Sequence, residues 1–136
     1  MLEVDDDPRP EETALLNEAL YQFNAKATGV TDGRSLAVFV RDEAGHLKAG
    51  LHGWTWAGTG FVQALWVRED LRQRGLGSQL LQAAEDEARR RGCREMHLDT
   101  HSYQSPGFYR RLGYEAIGEL PGWPANTTRI FFRKAL

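Results

Sequence analysis

Leu65-Trp66-Val67-Arg68-Glu69-Asp70-Leu71-Arg72-Gln73-Arg74-Gly75-Leu76-Gly77-Ser78-Gln79-Leu80-Leu81 passes from an apolar segment, through a polar connection with two glycines, into an amphipathic one. The apolar part, Phe61 to Val67, reads as a central strand covered on both faces. From Leu76 to Arg91, the residues Leu76, Leu80, Ala84 and Ala88 fall on one helical stripe that Leu81 widens. The polar connection therefore lies at a strand-to-helix junction. A helix start presents unpaired N–H groups and a partial positive charge, which attract an anion without a dedicated side chain. Glycines at 75 and 77 remove side chains where an anion would need to reach the amides, and they permit positive φ. Arg72 and Arg74 add charge and donors beside them. The same letters also suit a tight turn whose glycines serve geometry alone, because short glycine motifs often match by chance.

Two phosphate-binding patterns are excluded by spacing. No Gly-x-x-x-x-Gly-Lys-Ser/Thr is present, and Leu80 stands where a dinucleotide fingerprint needs its third glycine. The roughly sixty residues that follow are too few for a two-half dinucleotide fold.

Upstream, Leu15, Leu16, Ala19, Leu20, Phe23 and Ala27 recur at three- and four-residue steps and predict one packing face of a helix from about Pro10 to Ala27, with Pro8 or Pro10 in its first turn. Leu36–Val40 and Leu47–Trp56 read as a hairpin joined by Asp42-Glu43-Ala44-Gly45, and Gly58 to Gly60 turns the chain into the Phe61–Val67 strand. Downstream, Glu85, Asp86 and Glu87 stand four residues before Arg89, Arg90 and Arg91, which predicts a solvated, paired helix face ending at Gly92. Cys93–Thr100 then predicts a strand parallel to Phe61–Val67. A short helix from about Ser105 to Leu112 ends at Gly113, followed by strands Tyr114–Leu120 and Thr127–Arg133.

At 136 residues, with 41% hydrophobic and 26% charged residues, the composition is that of one soluble globular domain spanning 1–136. No apolar run is long enough to span a bilayer. The acidic start Met1 to Asp7 is not a signal peptide, so a cytoplasmic location is expected. A formal charge of -2 argues against coating nucleic acid. The single cysteine, Cys93, leaves any Cys-based metal cluster without partners and reads as a small buried side chain.

Arg72-x-x-Gly75-x-Gly77 at this junction, with Phe108-Tyr109-Arg110-Arg111-Leu112-Gly113-Tyr114 following it, resembles the paired motifs of the GNAT superfamily of acetyl-CoA-dependent N-acetyltransferases. The string from Leu65 through Tyr114 is similar to one branch of small bacterial members. The resemblance implies an α/β (α+β) single-domain fold: a mixed, mostly antiparallel sheet with a splayed parallel pair in the middle and helices on both faces. It implies acetyl-CoA as co-substrate and no metal. The pantetheine arm is expected in the splay, against the backbone of Leu65, Trp66 and Val67. The pyrophosphate is expected on the cradle of Arg72, Gln73, Arg74, Gly75, Leu76, Gly77 and Ser78, with Phe108 and Arg111 on the opposite side. Many members carry an Asn before the second motif, where this chain offers Ser102, Gln104 and Ser105.

The reaction so implied is direct attack of a neutral amine of a small molecule on the thioester, with a proton supplied to the departing thiolate. Tyr109 is the candidate acid. A phenol of pKa about 10 donates to a thiolate whose conjugate acid lies near 8.5 only where position and field help. With Gly113 at C′, Tyr109 and Tyr114 also occupy the positions that pack in a Schellman cap. Glu69, Asp99, His101 and water all remain open as base. His52, Trp54 and Trp56 alternate on one strand face and, with Trp123, form either an aromatic wall for a cationic amine or a packing surface such as a homodimer interface. A coenzyme-binding module with little catalysis and a peptide acetyltransferase are alternative uses of the same motifs.

Overall fold

The computed structural model describes residues 1–136. Helix α1 (Pro10–Thr28) starts with Pro10 in its first turn and stops at Gly29, which takes a left-handed conformation at the cap. Strands β1 (Arg34–Arg41), β2 (Leu47–Trp56) and β3 (Thr59–Val67) follow as an antiparallel meander. A short 3-10 turn (Glu69–Leu71) leads into α2 (Leu76–Arg90), then β4 (Glu95–His101), α3 (Pro106–Arg111), β5 (Glu115–Pro121) and β6 (Thr128–Ala135). The strands form one sheet in the order β1-β2-β3-β4-β6-β5, in which only β3 and β4 run parallel.

One face of this sheet holds the core. Leu36, Ala49, Leu51, Val62, Met96, Leu98, Ile130 and Phe132 alternate inward along five strands and meet Leu80, Leu81, Ala84 and Ala88 of α2, the stripe expected from its 3.6-residue period. Phe108 and Tyr109 of α3, with Leu112 just beyond its end, close the same face. On the other face, the loop after α1 is fastened where Trp56 Nε1 donates to the Val30 carbonyl at 3.0 Å.

Three sequence expectations are corrected. β3 is covered on both faces only in its first half, for Gln63, Ala64 and Trp66 are exposed. The apolar stripe of α1 packs on nothing: every residue from Met1 to Leu20 is exposed, and Ala25 alone in the helix is buried. The charged end of α2 is not wholly solvated. Glu85 is buried and receives the Tyr114 hydroxyl at 2.9 Å and Lys134 Nζ at 2.8 Å, while Arg91 donates to the Ser35 carbonyl and Thr55 Oγ1. Asp86 and Glu87 pair with Arg89 and Arg90 mainly one position closer than expected, at i,i+3.

The Glu85 site fastens the chain after α3 to α2 through a buried carboxylate, which is tolerable only because cation and donor both reach it. Tyr114→Phe removes one donor and leaves an acceptor short of a partner. It is expected to cost about 1–3 kcal/mol, read as a lower midpoint in urea unfolding.

Candidate active site

The cleft begins where β3 leaves β4. Their parallel register runs only from Thr59↔Glu95 to Val62↔Leu98. At the next residue β3 bulges: His52 pairs with Ala64 and Gly53 with Val62, leaving Gln63 as the extra residue. Gly53 is required opposite the bulge, since a side chain there would collide with the Phe61 carbonyl. Beyond the bulge, Ala64 to Val67 keep their pairing to β2 and have no strand on the other side. The gap opens into a cleft of about 1210 Å³.

Leu65, Trp66 and Val67 form one wall and Phe108, Tyr109 and Arg111 the facing one, with Arg72, Gln73, Gly75, Leu76, Gly77 and Ser78 at the base. Arg74 alone among the expected cradle residues does not line it. The base is made by backbone. Gln73 and Gly75 both have positive φ, 63° and 79°, and alternation of left- and right-handed residues turns successive N–H groups to one side. The N–H groups of Gln73, Arg74, Gly75, Leu76, Gly77 and Ser78 meet no protein acceptor; the first bond at the helix start is Gln79 N–H to the Gly75 carbonyl at 3.1 Å. No side chain caps the helix, and its first turn has no acidic residue, in contrast to α1 with Glu11 and Glu12. Unsatisfied amides, the helix dipole and the Arg72 charge thus converge on one point.

The two glycines have different reasons. At Gly75 a Cβ would meet nothing within 4 Å, so φ is the constraint; at Gly77 a Cβ would lie 3.3 Å from Phe108 Cζ, so the close approach of α3 is. Arg72 Nε donates to the Val67 carbonyl at 2.9 Å, which ties the cradle to the end of β3 and leaves the guanidinium tip for a ligand.

Tyr109 both closes the helix end and lines the cleft. The backbone of α3 ends in a Schellman motif, with Tyr114 N–H to the Tyr109 carbonyl at 3.0 Å and Gly113 N–H to the Arg110 carbonyl at 3.1 Å. The ring sits edge-on to Phe108 and Tyr114, while the side chain lines the cleft. Burial, and then the negative charge of Asp99, push its phenol above the usual tyrosine range.

Of the base candidates, only Asp99 lines the cleft. It is already engaged by Arg129 Nε at 3.0 Å. Glu69 is exposed on the 3-10 turn, and His101 Nδ1 lies 3.0 Å from the Trp123 carbonyl with its ring stacked on Tyr103. The expected aromatic wall does not form at the cleft: His52, Trp54, Trp56 and Trp123 do not line it, Trp54 is half exposed on the sheet face, and the Arg129 guanidinium sits 4.9 Å from both the Trp123 and Phe131 rings. Ser102 Oγ accepts from Thr128 N–H and Gln104 Oε1 from Thr100 and His101. Ser105 lines the cleft with its side chain unbonded at the start of α3. Gln63 and Tyr103 also line it. Neither was singled out from sequence, because a bulge and a loop leave no periodic signal.

The acetyltransferase (GNAT) family profile matches residues 2–114. The chain belongs to that family. Blasticidin-S acetyltransferase of Streptomyces morookaense is 36% identical over 118 residues, covering 82% of this chain and 85% of the relative. A crystal structure of an acetyltransferase from Bacillus cereus superposes with a TM-score of 0.78 at 29% identity over 98% of each chain. An aminoglycoside 6′-N-acetyltransferase complexed with coenzyme A shares the fold, with a TM-score of 0.65 at 20% identity over 75% or less of each chain (74% of this one, 72% of the other). The enzyme is therefore an acetyltransferase, and no helix in it is long and apolar enough to cross a membrane.

Gly77→Val places two methyl groups between the helix start and Phe108. Acetyl-CoA affinity measured calorimetrically is expected to fall at least about tenfold, or 1.4 kcal/mol, with the far-ultraviolet circular dichroism unchanged.

Proposed function

We propose that this acetyltransferase transfers the acetyl group of acetyl-CoA to a primary amine of a small molecule by direct attack, with Tyr109 as the acid. The observation that carries the reading is the row of unpaired amides from Gln73 to Ser78, opening into the same cleft as the Tyr109 side chain. A coenzyme diphosphate on those amides, beside Arg72 and Arg111, directs its pantetheine arm along the unpaired edge of Leu65, Trp66 and Val67. That arm is a chain of amides, and the strand edge supplies the complementary donors and acceptors. The Ser105 hydroxyl is the polar side chain left to meet it from the α3 side. The arm then ends between β3 and Tyr109.

In the transfer, the amine nitrogen forms a bond to the thioester carbon, the C–S bond breaks, and the thiolate takes the Tyr109 phenolic proton. The proton lost by the attacking nitrogen goes to water. Asp99, held by Arg129, is a fixed negative charge near Tyr109 rather than a free base; burial first and this charge second hold the phenol protonated, so donation rests on the position of the ring beside the departing sulfur and not on the local field. The relative named for blasticidin S supports a small, amine-bearing acceptor.

Tyr109→Phe tests the acid. The turnover number is expected to drop about 10²-fold or more, with acetyl-CoA affinity within about twofold of the parent; equal loss of both would remove Tyr109 from the role. Because the folded phenol titrates above its ordinary value, the acid form persists through neutral and mildly alkaline pH. Turnover of the parent enzyme should therefore rise with pH as the acceptor amine deprotonates, with no decline between pH 7 and about 10. Thiol release across an amine panel, against a peptide panel, checks the acceptor class.

A further inference from the structure

Two apolar surfaces of this chain lie open, and neither is part of the cleft base. One is α1. Leu16 is 70% exposed and Phe23 69%, with Leu15 and Leu20 beside them, although their spacing is that of a helix face built to be buried. The other is the sheet face opposite α2, where Phe39 of β1, Trp54 of β2 and Trp66 of β3 are each about half exposed and Trp54 leans on Phe61 with ring centroids 4.7 Å apart. Between Phe39, Leu47, His52, Ala64 and Trp66 the face dips into a hollow of about 130 Å³, the size of an aliphatic side chain. A helix with no sheet and a sheet with no helix, in one chain, are complementary in shape and chemistry.

We propose that a second copy of this chain covers the face: in a two-fold dimer, α1 of each copy lies across β1, β2 and β3 of the other. The area is sufficient. Eight large apolar residues per copy, Leu15, Leu16, Leu20, Phe23, Phe39, Leu47, Trp54 and Trp66, are 40% or more exposed, and at roughly 100 Å² each they come to about 800 Å², the share each partner contributes to a stable interface. The charge is complementary as well. Residues 1–28 carry seven acidic and two basic side chains, whereas the rest of the chain carries twelve acidic and fifteen basic. On the receiving face, the Arg41 guanidinium meets only the Gly45 carbonyl and the Phe39 ring, which leaves it to pair with Glu11 or Glu18 of the incoming helix. An interface of this kind is isologous, so the same two surfaces are used twice and the assembly closes at two copies. Ala64 and Trp66 line both the hollow and the cleft, so the docked helix also stands at the rim of the cleft.

The test is the mass of the full chain in solution by sedimentation velocity between about 1 and 100 µM. The parent is expected at twice the 15.4 kDa of one chain. Leu16→Glu with Leu20→Glu, on the helix, and Phe39→Glu, on the face, should each give a monomer with unchanged circular dichroism, because these side chains are exposed within one copy. Two separate sites are altered so that misfolding of one variant leaves the other decisive. A parent that is monomeric at 100 µM overturns the proposal and leaves the face to another partner. A dimer that survives either change overturns it too, since the contact must then lie elsewhere.

Discussion

The bulge at Gln63 is the constraint on which the rest depends. A parallel pair in the middle of a sheet is ordinarily paired along its length, because an unpaired strand edge buried in protein leaves donors and acceptors without partners. Here one extra residue in β3, accommodated by Gly53 on β2, turns the strand after Val62 while its bonds to β2 continue. The loss of pairing is confined to the side facing β4. That side becomes the wall of a cleft wide enough for an extended polar chain, and the direction in which β3 leaves fixes where the next helix begins.

The start of α2 is the second uncompensated feature, and it lies at the same end of the strand. Helices usually satisfy their first amides with a Ser, Thr, Asp or Asn side chain, worth about 1 kcal/mol. This one forgoes the cap and holds Gln73 at positive φ, which costs more. The fold offsets this elsewhere: Leu80, Leu81, Ala84 and Ala88 are essentially sealed from solvent, and the buried Glu85 holds α2 to β6 and to the turn after α3. A helix so anchored by its middle can leave its N-terminus unsatisfied. Local instability at that end, set against rigidity behind it, is what an anion site made of backbone requires.

Much of this was legible in sequence, and the exceptions have a common cause. Period-2 and period-3.6 patterns located every strand and helix to within a few residues, and the strand-glycine-helix order located the cradle. Periodicity reports that a face is apolar without saying what covers it. The stripe of Leu16, Leu20 and Phe23 is therefore correct as a helix face and wrong as a contact within the chain, and the apolar run through Trp66 is correct as a strand and wrong as a two-sided core. Charges mislead in the same way. Glu85 and Arg91 stand in a run that resembles a solvated surface, yet one neutralises Lys134 under the sheet and the other reaches back to β1 and β2. Partners far apart in sequence decide burial, and no local window contains them.

The acceptor end shows how a long-range partner changes a functional reading. From sequence, Trp123 is one member of an aromatic wall for a cationic amine, and Asp99 is one of the candidate bases. Arg129, paired across β4 and β6 with His101 as its register neighbour, takes both at once, bonding Asp99 and stacking on Trp123 and Phe131. A substrate cation would have to displace a guanidinium already held by a carboxylate and two rings, which is unfavourable. The cleft therefore offers its acceptor no free ionic anchor at that point. Asp99 is the one carboxylate that lines the cleft; the cleft's neutral polar side chains include Gln63, Thr100, Tyr103 and Ser105, and its other charged ones are Arg72 and Arg111. Under the proposed transfer, a cleft without a free carboxylate favours an amine that arrives uncharged, which is also the form that can attack a thioester.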